Sequence, residues 1–176
     1  MSLCLKVSEL DLDPKKFRIV ASESERQSLV ERFALVSLDK LEADIAIKNK
    51  GVGAGVLIWG QLKASFSQRC IVSLGEVPEI LDVPFELLLV DPEMANRMDE
   101  EESYLDPDAP EYDALEGDII EVGEVVAQTL SISMEPYPKA SDAVIKAPKN
   151  TKVSLNEPEL EKPNPFSVLS KLKDKS

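Results

Sequence analysis

The sequence predicts an α+β fold in which an antiparallel β-sheet carries two main helices, an acidic loop insert and a flexible C-terminal tail. Three observations predict it. Segments of alternating or short-run apolar residues recur between Leu41 and Val90, two stretches show helical spacing, and the composition changes sharply at two places. At 176 residues and 43% apolar content, the chain has the size and hydrophobicity of one modest core. The expected layout is a domain over 1–137 with the acidic insert at 91–118, a linker over 138–163, and a short amphipathic helix or tail over 164–176.

In chain order, "SLCLKVSEL" and "KKFRIVAS" read as short strands separated by a turn at Pro14. Ser22 and Glu25 have capping-box spacing, and Leu29, Val30 and Phe33 follow at helical intervals, so a helix is expected from Glu23 to Ala34. The segments "LEADIAIKN", "GVGAGVLIWGQLKASFSQ", "RCIVSL" and "EILDVPFELLLV" have strand character, broken by Gly or Pro. In the second, Leu62, Ala64 and Phe66 share one face and Lys63, Ser65 and Ser67 the other, the pattern of a half-buried antiparallel strand. "GVGAG" precedes strand-like "VLIW" rather than a helix and lacks the Lys and Ser/Thr of a phosphate loop, so it reads as a hairpin turn.

After the acidic stretch, Ile119, Val122, Val126 and Leu130 are spaced for one side of a helix, and Ile132 and Met134 extend its apolar content. From Pro136 to Pro165 the composition turns to Pro, Lys, Ser, Asn and Glu, as in a mobile linker. The chain then reads "NPFSVLSKLKDKS". Asn164 suits a helix cap, Pro165 the first helical position, and Phe166, Leu169 and Leu172 fall near one face. A helix this short is marginal alone, so it either folds back on the domain or meets a partner groove.

The net charge of −13 is unevenly spread. Residues 1–60 hold nine basic and nine acidic residues, residues 91–126 hold one Arg against fourteen acids, and residues 127–176 hold eight Lys against six acids. A near-neutral body, an acidic insert and a Lys-bearing tail can address different partners. The densest part, "DEEESYLDPDAPEYDALEGD" from Asp99 to Asp118, is no EF-hand: counted from Asp106, the second, fifth and sixth positions are Pro107, Pro110 and Glu111. It reads either as a solvated loop or as a docking surface for a cationic partner. For docking, Asp99, Glu100, Glu101, Glu102, Asp106, Asp108, Glu111 and Asp113 supply charge and Tyr104 and Tyr112 apolar contact. Ribosomal proteins are partners of that kind, and nucleic-acid mimicry is a related use of the same carboxylates.

The chain has no His and two Cys, Cys4 and Cys70. A Ser/His/Asp triad is therefore excluded, a thiolate zinc site would need two further carboxylates, and no catalytic residue, cofactor or metal is expected. Cys70 reads as a buried strand cysteine. The start of the chain lacks signal-peptide character and the apolar runs are too short for a membrane span, so a cytoplasmic protein is expected.

In order, "SESERQSLVERFALVSLDKLEA", "WGQLKASFSQRCIVSL", "VPFELLLV", "EGDIIEVGEVVAQTLSISMEPYPKA" and "NPFSVLSKLK" resemble the YceD family, the large ribosomal RNA subunit accumulation proteins. The most specific positions are Gln68 and Cys70, Gly117, Gly123 and Glu124 at the helix entry, and Pro136, Tyr137 and Pro138 after the helix. The resemblance implies a noncatalytic bacterial factor in ribosome biogenesis, needed for large-subunit ribosomal RNA to accumulate. Genes of the family often adjoin one for a small ribosomal protein, which implies a basic ribosomal protein or large-subunit assembly intermediate as partner; direct binding of ribosomal RNA is the alternative, and a general acidic interaction module a third reading. Some branches carry a Cys-rich, metal-binding arrangement, of which this chain keeps Cys70 alone.

Overall fold

In the computed structural model the described residues are 3–100 and 111–143. The chain divides into two compact units, Met1–Ala140 and Ser141–Ser176, and the first contains every element below. These are β1 (Cys4–Lys6), a single 3-10 turn (Val7–Glu9), β2 (Lys15–Val20), α1 (Glu23–Phe33), β3 (Ser37–Asn49), β4 (Val56–Arg69), β5 (Glu76–Val90), α2 (Pro92–Glu100), β6 (Glu111–Ala114), β7 (Ile119–Glu121) and α3 (Val122–Ser133). The fold is α+β. A five-stranded sheet runs in the order β2-β3-β4-β5-β6, and β1 pairs with β7 in a separate ribbon.

The helix expected after Ser22 is present with its full capping box: the Glu25 amide donates to Ser22 Oγ, and the Ser22 amide to Glu25 Oε2. It ends at Ala34 in the left-handed region, φ 52°. Period-two alternation then builds the core. Leu41, Ala43, Ile45 and Ile47 of β3 and Val56, Ile58, Leu62, Ala64 and Phe66 of β4 are all buried and belong to one apolar cluster with Leu29 of α1 and Val122, Val126 and Leu130 of α3. The opposite sheet face is solvated and paired by charge, with Arg18 on Glu42, Lys40 on Glu42 and Lys63 on Asp82. Ser67 departs from this alternation and is buried, where its carbonyl accepts from the Val36 amide at 2.8 Å.

Breaks expected at Gly60 and the prolines do not occur. Gly60 lies within β4 opposite Ile45, where the two backbones press together and a side chain has no room. Pro78 and Pro84 lie within β5, which is paired with β4 from Glu76 to Leu89 and, among the described residues, with β6 only from Leu87 to Val90. At both prolines one side of the strand has no partner strand among the described residues, so the missing N–H costs the ladder nothing.

The acidic segment is not wholly a loop. Asp91 starts α2, its Oδ1 accepting from the Glu93 amide at 2.9 Å, and Pro92 takes the first helical position. Met94, Ala95 and Met98 of α2 pack with Leu57, Leu88, Val90 and Tyr112 in a second small core. The chain returns as β6, parallel to β5, which requires a crossover of this kind. Runs of carboxylates hid the i, i+4 apolar spacing that makes α2 a third helix. Likewise Ile119 belongs to β7 and is exposed, so the helix expected to include it begins at Val122.

Candidate partner-binding surface

The crossover fixes both flanks of the acidic segment. Asp99 and Glu100 end α2, while Glu111, Tyr112 and Asp113 lie on β6. Tyr112 Oη donates to Asp99 Oδ1 at 2.6 Å, and its ring packs on the small core beneath α2. Of the candidate acids, Asp99, Glu100, Glu111 and Asp113 are therefore exposed on a folded support. Glu101, Glu102, Tyr104, Asp106 and Asp108 lie outside the described residues, as do Phe166, Leu169 and Leu172.

The motif positions meet at a different corner. Gln68 Nε2 donates to the Glu135 carbonyl at 3.2 Å, and the Ile71 amide donates to the carbonyl of buried Pro138 at 2.9 Å. Cys70 is fully buried in the turn just after β4, not within a strand. Its Sγ accepts from the amides of Val72 (3.4 Å), Ser73 (3.3 Å) and Ala140 (3.4 Å). Thus Gln68 and Cys70 tie the end of β4 to the segment of Pro136, Tyr137 and Pro138. Tyr137 itself points its side chain to solvent, at 71% exposure. Buried Gln68 Oε1 has no hydrogen-bond partner among the described residues.

The remaining motif positions serve the approach to α3. Gly117 turns the chain at φ 85° before β7, Gly123 is buried in the first turn of α3, and Glu124 receives both guanidinium nitrogens of Arg32, at 2.6 and 2.7 Å. This bidentate pair joins α1 to α3 and holds the Glu124 carboxyl below the ordinary carboxylate range. Spacing alone did not reveal that these motif residues are largely brackets between elements.

Hydrogen bonds to the Cys70 sulfur, foremost from Ser73 and then from the Ala140 amide, lower its thiol from 9.0 to about 6. A depressed folded-state value favours folding fully above the unfolded value and loses that contribution as pH falls through the folded one. Stability should therefore rise from pH 6 to pH 9, and Cys70→Ser should flatten that slope. Urea midpoints of both proteins at three pH values in this window measure it; parallel slopes would contradict a thiolate at this position.

Among the described residues no group of three or more His, Cys, Asp or Glu side chains could hold a metal, and no helix is long and apolar enough to cross a membrane. Sequence reasoning missed a groove of about 560 Å³ bordered by the Gly51–Gly55 turn and by Asp91 and Asp118, the two ends of the acidic insert. Its walls come from segments far apart in the chain, and only the cluster of three glycines in five residues hinted at an unusual loop.

Residues 58–173 match the model of a family described as "Large ribosomal RNA subunit accumulation protein YceD". No curated protein and no solved structure matches the chain.

Proposed function

The chain belongs to the YceD family, and on that premise we propose that it supports accumulation of large-subunit ribosomal RNA as a noncatalytic factor that holds a basic ribosomal protein or assembly intermediate. The observation that carries the binding mode is the acidic segment 91–126, where one Arg accompanies fourteen acids and a Tyr112–Asp99 hydrogen bond joins α2 to β6. The carboxylates carried on α2 and β6 attract cations without first having to be ordered, which favours fast, salt-sensitive association. The tail's Phe166, Leu169 and Leu172 supply a second, weaker contact, and linkage of two weak contacts raises the overall avidity.

The test is the ratio of large- to small-subunit ribosomal RNA in cells depleted of the protein. It should fall on depletion, recover with the wild-type chain, and stay low when Asp99→Asn, Glu100→Gln, Glu101→Gln and Glu102→Gln are combined in a chain of equal abundance. A ratio indifferent to depletion would refute the biological role. Full rescue by the neutralised chain would refute the acidic surface alone. Cosedimentation with ribosomal particles that is lost on nuclease treatment, while particles assembled from protein alone fail to bind, would favour direct contact with RNA.

A further inference from the structure

The groove beside the crossover has the chemistry of a receptor for one kind of peptide. Its floor is apolar, made by buried Leu10, Val56 and Leu89. Its rim carries Asp11, Asp91 and Asp118, and among the described residues no Lys or Arg lines it. Lys15 pairs with Asp11 at 3.1 Å and donates to the Glu9 carbonyl at 2.6 Å. Two apolar side chains stand exposed at the mouth, Leu12 at 71% and Val52 entirely. Exposed apolar residues are ordinary singly; two facing one groove with an anionic rim are a specific combination.

The walls are tied together by backbone hydrogen bonds. The Asn49 amide donates to the Asp11 carbonyl at 3.0 Å, the Val7 amide to the Asp118 carbonyl at 3.0 Å, and the Leu115 amide to the Val90 carbonyl at 2.8 Å. Gly51 and Gly53 hold φ of 107° and 73° and allow the turn that lifts Val52 clear of the sheet. A groove held in this way needs little ordering on binding.

We propose that this groove docks an amphipathic, Lys/Arg-bearing segment of a protein partner, with one large apolar side chain seated between Leu12 and Val52 and its cations meeting Asp11, Asp91 and Asp118. The proposal rests on the reading of the protein as a receptor for a basic partner and deepens it: recognition requires an apolar anchor as well as charge. Continuity supports it, because Asp91 and Asp118 are both the rim of the groove and the ends of the acidic insert.

The test uses the full chain and two fluorescein-labelled 14-residue probes, an amphipathic Leu/Lys helix former and oligolysine, read by fluorescence anisotropy. The wild type should bind the amphipathic probe at least about tenfold more tightly than oligolysine. Leu12→Ala combined with Val52→Ala should abolish that preference while leaving oligolysine binding and the melting temperature unchanged, since both side chains are exposed. Amide chemical shifts should move most at Leu12, Val52, Gly53 and Leu115. A preference that survives the double substitution, or shifts confined to other surfaces, would overturn the groove while leaving the acidic surface standing. Failure of both probes to bind at low salt would remove the cation-receptor reading together with the groove.

Discussion

Gly55→Ala should lower the free energy of unfolding by about 3 kcal/mol, the sum of two separable costs. Gly55 holds φ 80°, where a Cβ costs about 1–2 kcal/mol, and that Cβ would overlap the Leu89 carbonyl oxygen and meet Val90 Cγ1 at 3.1 Å. Two neighbours isolate the terms. Gly53 is also left-handed, at φ 73°, but has open space where a Cβ would go, so Gly53→Ala should cost about 1–2 kcal/mol from the backbone alone. Gly60 has no left-handed φ, yet its Cβ would overlap the Asp44 carbonyl oxygen and lie 2.9 Å from Ile45 Cα, so Gly60→Ala should cost about 1–3 kcal/mol from overpacking alone. Since small domains are stable by about 5–15 kcal/mol, the Gly55 variant should show a clearly lowered melting temperature. Urea titrations of the three variants give the order; a Gly55 variant no worse than the Gly53 variant would mean that β4 shifts to make room beside β5.

Phe66→Ala should cost about 3–5 kcal/mol, whereas Ser65→Ala, one position away, should stay within about 0.5 kcal/mol of the wild type. Phe66 is 1% exposed on the helix-facing side of β4, across from Leu38 of β3. Removing its ring leaves a cavity that backbone pinned on both sides by strands cannot close. Ser65 faces the solvated side beside Lys40 and Ile80. Urea midpoints of the two variants, at unchanged denaturant slope, check the contrast. Comparable losses would mean that the two sheet faces are less distinct than their burial indicates.

That contrast also marks what was legible in the sequence. Alternation at Leu62, Ala64 and Phe66, the Ser22–Glu25 capping box and the glycine turn are encoded within a few residues, and each appears in the fold where its local signal places it. Features that depend on distant partners were not legible. Pro84 suggested a break in "EILDVPFELLLV" because a single sequence does not tell which side of a strand is paired. Met94, Ala95 and Met98 were overlooked in a run of carboxylates because their small core is completed by Leu57, Leu88 and Tyr112 from other elements. The same holds for the candidate surface. Its charge was evident, whereas the Tyr112–Asp99 bond, the Gln68 and Cys70 contacts to the segment after α3, and the groove between Leu12 and Val52 arise only when separate segments meet.

Among the described residues the outer edge of β5 from Glu76 to Glu86 has no partner strand, with a consequence for how chains meet one another. A bare strand edge ordinarily invites another backbone to add to it, the first step toward open-ended sheets. From Glu76 to Glu86 this edge carries Pro78 and Pro84, which offer no N–H to an incoming strand, together with the charges of Glu79 and Asp82. A ladder started there would be interrupted every few residues. The edge is thus closed to strand addition, and a partner approaching this side must be recognised through side chains rather than through its backbone.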